Sequence, residues 1–79
     1  MHTLKEKLTE FLETEKVYVK VGLDKEDDPK RRNEICWNAR QRALGAVNLA
    51  QLCGLDYETA EKMFYQYCNE LEVMEYEVS

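Results

Sequence analysis

The chain has 79 residues, too few for a core that supplies more than about 3–5 kcal/mol unaided, so self-association or partner binding is expected and a lone monomer is not the default. A formal charge of −5 with 34% charged residues argues against unaided binding to bulk nucleic acid and favours basic partners. No apolar run approaches the ~20 residues of a membrane span, and Met1 to Leu12 lacks the apolar stretch of a signal peptide, so the expectation is cytoplasmic residence without membrane association.

Thr3 followed by Glu6 forms a capping box, and Leu4, Leu8, Phe11 and Leu12 recur at helical spacing, which predicts a first helix from about Leu4 to Glu13. From Val17 the period changes to two. Val17, Val19 and Val21 alternate with Tyr18 and Lys20 before Gly22, so the β-branched residues predict a short strand over 17–21. Asp24 to Asp28 is an acidic loop that closes on an N-cap, Asp28, and a first-turn proline, Pro29. A long helix is expected from there to Cys53, with Gly54 as its stop and Gly45 as a candidate kink or division point. Asp56 then caps a third helix from Tyr57 to about Leu71, with a core face of Tyr57, Ala60, Met63, Phe64, Tyr67 and Leu71. Met74, Tyr76 and Val78 alternate with Glu75 and Glu77, so the tail reads as a second strand. The expected fold is mainly α: one three-helix domain, residues 1–79, with a two-stranded β ribbon pairing 17–21 with 73–78. Such a ribbon is marginal alone and has to pack on helices or pair across a dimer.

Cys36, Cys53 and Cys68 are odd in number and show no paired spacing. On one continuous helix Cys36 and Cys53 lie roughly 25 Å apart, too far for a disulfide, so three buried thiols in a reducing compartment are expected. His2 is the sole histidine and sits at the terminus, which removes histidine-based triads and any credible zinc site. The acidic loop lacks the glycine and spaced oxygens of a calcium-binding EF-hand. With no glycine-rich phosphate loop, nucleophile–base pair or metal constellation, neither an enzyme nor a cofactor is expected.

The long helix carries a stripe of small residues, Cys36, Ala39, Ala43, Ala46, Ala50 and Cys53, that lets another helix approach closely. On its opposite side lie Trp37, Leu44 and Leu52 with Gln41 and Asn48 between them. Trp37 stands among Arg31, Arg40 and Arg42, an aromatic-plus-arginine composition enriched in interface hot spots and also usable for stacking on a base. Burial of Trp37 in a monomer core is the competing reading. Lys30, Arg31 and Arg32 occupy a first turn whose macrodipole disfavours cations by about 0.3–1 kcal/mol each. The offset is expected from salt bridges to Asp24, Glu26, Asp27 and Asp28, or from a phosphate or acidic partner. On the third helix Glu58, Glu61 and Glu72, with Tyr65 and Asn69, form either a solvated acidic flank or a docking surface for a basic partner.

Leu49, Ala50, Gly54, Leu55, Ala60 and Met63 resemble the helix-turn-helix pattern of bacterial and phage regulators over the segment Ala46 to Tyr65. The resemblance implies that the second and third helices form the motif, with a recognition helix over Tyr57 to Tyr67. Asp56, Glu58 and Glu61 depart from it, because they would face phosphates, and only Lys62 is favourable. As a compact acidic helical chain it also resembles in type the accessory proteins of phages and mobile elements, including anti-CRISPR inhibitors.

The leading expectation is therefore a non-catalytic module, an inhibitor or regulator of that kind, that binds a partner protein stoichiometrically. A basic nucleic-acid-binding protein is one candidate partner. Contact would run through Trp37 with Arg31, Arg40 and Arg42, or through Glu58, Glu61, Tyr65 and Glu72. The first alternative is a dimeric helix-turn-helix regulator reading DNA through Lys30, Arg31, Arg32, Tyr57 and Lys62. The second is a structural homo-oligomer such as a homodimer.

Overall fold

A computed structural model describes residues 3–77, so His2 and Val78 lie outside the described residues. The helices are α1 (Leu4–Asp24), α2 (Pro29–Leu52) and α3 (Tyr57–Tyr76). At about 1.5 Å per residue α2 is roughly 36 Å long, close to the 40 Å long axis of a molecule only 21 by 15 Å across. All three helices therefore lie along one axis. Glu15 pairs with Arg42 and Gly22 faces Ile35, which makes α1 and α2 antiparallel. Asn33 reaches Glu75 and the Cys36 thiol meets the Leu71 carbonyl, so α2 and α3 run antiparallel over most of their length, as an αα-hairpin.

The helix starts are set locally. Thr3 Oγ1 accepts from the Glu6 amide at 3.1 Å, Asp28 from the Lys30 amide at 3.0 Å and Asp56 from the Thr59 amide at 3.2 Å. Gly54, at φ +113°, turns the chain out of α2, a conformation that a side chain would strain. Gly45 neither ends nor divides α2, which is helical from Pro29 to Leu52.

The expected β ribbon is absent from the described residues. Residues 17–21 lie within α1, and 73–76 form the last turn of α3. The reason is phase. Leu8, Leu12, Val19 and Leu23 fall on one helical face and are all buried, so α1 continues through the valines and leaves Val17, Tyr18 and Val21 in solvent. Their β propensity, worth a fraction of a kcal/mol each, loses to the burial of Val19 and Leu23. In α3 the series Ala60, Tyr67, Leu71 likewise extends to a half-buried Met74.

The core runs along α2. Cys36, Ala39, Ala43 and Ala50 are buried and Ala46 half-buried, so small side chains admit a neighbouring helix on either side. The stripe stops short of Cys53, whose thiol is exposed; Cys36 is buried and Cys68 half-buried. Tyr57, at the start of α3, is exposed as well and does not join the core.

The other end of the bundle is closed by one side chain. Neither α1 nor α3 has a basic residue in its last turn. Arg32 reaches both from α2. Its Nη1 donates to the carbonyls of Leu23 (2.6 Å) and Glu26 (3.0 Å), its Nε to Glu75 (3.2 Å), and its Nη2 to Glu75 (2.9 Å), Glu77 (3.1 Å) and Met74 (3.3 Å). Carbonyls left over at two helix ends are thus satisfied by one guanidinium, whose charge also suits their negative dipole ends. Replacement of Arg32 by Ala is expected to cost about 2 kcal/mol and to lower the melting temperature by about 10 °C. Arg32→Lys, which keeps the charge but loses the planar fork, is expected to recover less than half of that in the same thermal melt.

Tyr67 is buried and its hydroxyl has no hydrogen-bond partner. Burial, reinforced by the Glu15 carboxylate, pushes its pKa up to about 12. Because an unpaired buried hydroxyl costs stability, Tyr67→Phe is expected to stabilise the fold by about 1 kcal/mol at neutral pH in chemical denaturation. The unfolded chain gives up the phenolic proton near pH 10, before the folded one does, so wild-type stability falls as pH rises from about 10 to 12. The phenylalanine variant should lose less stability than wild type over that interval.

Candidate functional site

The outer flanks of α2 and α3 form one surface. On α2, Trp37, Arg40 and Leu44 follow at helical spacing; on α3, Glu61, Tyr65, Cys68 and Glu72 do the same. The antiparallel register fixed by Asn33–Glu75 and by the Cys36 thiol on the Leu71 carbonyl sets Trp37 level with Glu72 and Leu44 level with Tyr65, so these two flanks run side by side. The face lies on the side of the hairpin away from α1, whose contacts with α2 are at Ile35 and Arg42.

Its apolar side chains are in solvent. Trp37 is 50% exposed, Leu44 39% and Tyr65 58%, so Trp37 is not a core residue. Around them Glu58, Glu61 and Glu72 make no ion pair among the described residues, whereas Glu13 and Glu70 hold Lys16, and Glu15 holds Arg42 at 2.8 Å. The sequence-predicted pair of patches, Trp37 on α2 and the acidic flank on α3, is thus brought together as one face.

The arginines proposed to accompany Trp37 are dispersed. Arg40 stays beside it, but Arg42 turns to α1, and Arg31 lies over the loop, 3.9 Å from Glu26 and 4.0 Å from Asp28. The expected salt-bridge offset in the first turn of α2 therefore holds for Arg31, while Arg32 is spent on backbone carbonyls. The residues considered for DNA are also divided. Lys30, Arg31 and Arg32 stand at the first turn of α2, whereas Tyr57 and Lys62 lie on the first two turns of α3, alongside the other half of α2 and roughly 20–30 Å along the bundle.

Leu44 was legible as a site residue from its position two helical turns beyond Trp37, and the charge distribution from simple counting. Between Asp56 and Glu77 seven carboxylates oppose one cation, Lys62, leaving −6, while residues 1–55, with ten cations and nine carboxylates, leave +1. The whole net charge of the chain sits on α3 and its cap.

Elsewhere the surface offers little chemistry. A groove between α1 and α3, lined by Lys16, Met63, Tyr67 and Glu70, holds about 190 Å³, below the ~300 Å³ at which small-molecule sites begin, while an open cleft at the Arg32 end, lined by Asp27 and Tyr76, holds about 310 Å³ and a shallow depression over the first turns of α1 about 500 Å³. Among the described residues no three His, Cys, Asp or Glu side chains converge as metal ligands, and no helix is long and apolar enough to cross a membrane. Comparison with known proteins yields no matching family model, no similar curated protein and no similar solved structure.

Proposed function

We propose that this protein is a non-catalytic binding module that docks a partner protein on the outer α2–α3 face, in a stoichiometric complex within the cytoplasm. The observation that carries the reading is the solvent exposure of Trp37, Leu44 and Tyr65 together on one face. Tryptophan and tyrosine are the residues most often found as interface anchors, and contiguous apolar exposure on a small domain is disfavoured unless something covers it. The unpaired Glu58, Glu61 and Glu72 at its edge favour a basic partner and oppose contact with phosphate. An inhibitor or regulator from a phage or mobile element would act through such a surface without any catalytic group.

Duplex DNA reading has less behind it. A long antiparallel hairpin differs from the 90–120° helix crossing that presents a recognition helix, and α3 would bring −6 to the phosphates.

Affinity capture from a lysate of the source organism at physiological salt tests the proposal, with nuclease-treated and untreated samples beside a Trp37→Ala, Glu61→Lys double variant. One protein retained after nuclease treatment and lost with the variant is the expected result. With that protein purified, Trp37→Ala alone should weaken the dissociation constant by about ten-fold or more while the variant melts within a few degrees of wild type. Recovery of nucleic acid alone, abolished by nuclease, overturns the reading in favour of a DNA regulator.

A further inference from the structure

The two sides of the α2–α3 hairpin are treated differently. One side is filled by α1, which lies along the hairpin and buries Leu8, Leu12, Val19 and Leu23 against it. The other side offers two helices of 24 and 20 residues running side by side, with Trp37, Leu44 and Tyr65 exposed and nothing packed over them. A groove between two antiparallel helices is the seat of a further helix in a four-helix bundle, and about 20 residues of helix, roughly 30 Å, would span this one. Among the described residues there is no strand and so no sheet edge on which an extended segment could add.

Charge selects the occupant. The groove is walled on its α3 side by Glu61 and Glu72, with Glu58 beyond them, and none of the three pairs with a cation among the described residues, whose ion pairs are those of Lys16, Arg31 and Arg42. A second copy of this chain would bring another helix that carries, with its two cap residues, a charge of −6 to the same place. A nucleic acid would bring phosphates. A helix that is apolar along one stripe and basic on both sides of it meets the aromatic floor and the carboxylates at once.

Resting on the docking reading above, we infer that the outer α2–α3 groove takes an amphipathic helix of a partner protein, its apolar stripe on Trp37, Leu44 and Tyr65 and its flanking lysines or arginines against Glu61 and Glu72.

Trp37 is the sole tryptophan, so its emission reports directly on the groove. The probes are three synthetic peptides of about 18 residues without Trp or Tyr, long enough for five turns of helix. One has leucines at i, i+3, i+4 and i+7 with lysine and arginine elsewhere; one has the same composition scrambled so that no apolar stripe remains; one has glutamate in place of every cation. The first should shift Trp37 emission to the blue with saturation. The other two should bind at least about ten-fold more weakly. Glu61→Lys with Glu72→Lys should cost the first peptide about ten-fold or more, and Leu44→Ala several-fold. Asp24→Lys with Asp27→Lys, the same change of charge at the α1–α2 loop outside the groove, should cost the first peptide several-fold less than the Glu61→Lys, Glu72→Lys pair does.

Absence of a Trp37 response, equal binding of the scrambled or acidic peptide, or equal loss from the loop variant overturns the helix assignment. These failures leave the docking reading in place if the captured partner still depends on Trp37. If no captured protein depends on Trp37, the docking reading itself falls.

Discussion

Three helix ends meet at the guanidinium of Arg32, and the bundle depends on how that meeting is resolved. Because α1 and α3 run parallel and α2 opposes them, two C-termini and one N-terminus share one end of the molecule. On its own helix Arg32 is misplaced, since a cation in an N-terminal turn is disfavoured by about 0.3–1 kcal/mol. Its donors, however, are not directed at α2. They close onto carbonyls of Leu23, Glu26, Met74, Glu75 and Glu77, and the two opposing dipoles and the unpaired oxygens outweigh the one unfavourable dipole. Lysine has the charge for this but not the geometry, since its three donors radiate from one nitrogen and cannot face two helix ends in one plane.

This arrangement also explains an asymmetry between the ends of the bundle. Where α1 and α3 begin, each helix carries its own cap, Thr3 or Asp56, and α2 leaves through Gly54; no long-range contact is needed. Where α1 and α3 end, Lys25 and Glu77 occupy the cap positions with backbone amides alone. The local end is therefore formed by sequence-adjacent residues and the other end by contacts more than forty residues apart, between Arg32 and the last turn of α3.

That division accounts for what was legible in the sequence. Thr3, Asp28, Pro29, Gly54 and Asp56 act within a few residues of themselves, and the small-residue stripe on α2 is a periodic pattern, so the helix starts and the central seam were readable. The strands expected over 17–21 and 73–78 are absent from the described residues because alternation over five residues is compatible with either period, and the choice belongs to Leu8, Leu12 and Leu23 in α1 and to Tyr67 and Leu71 in α3. Arg32 could not be read as a cap, since the carbonyls it meets become neighbours only after folding; it was grouped instead with Lys30 and Arg31 as part of a basic cluster. Of the candidate site, Trp37, Glu61, Tyr65 and Glu72 were each identifiable, but as separate patches on two helices. Their union needs the antiparallel register that brings Asn33 to Glu75 and Cys36 to Leu71.

The internal electrostatics then determine what is left for another molecule. Lys16 is taken up by Glu13 and Glu70, Arg42 by Glu15, Arg31 by Glu26 and Asp28, and Arg32 by helix ends, so much of the positive charge on α1 and α2 is committed within the fold. The carboxylates of Glu58, Glu61 and Glu72 have no such role. Glu58 and Glu61, one turn apart on α3, repel each other by a few tenths of a kcal/mol in a domain with little stability to spare. Glu58 suits the first turn of α3, but neither the core nor the caps require acids at Glu61 and Glu72, and the exposed Trp37 and Leu44 beside them add no burial while the groove stands open. The two unfavourable features occupy the same face, and one basic, apolar partner would relieve both.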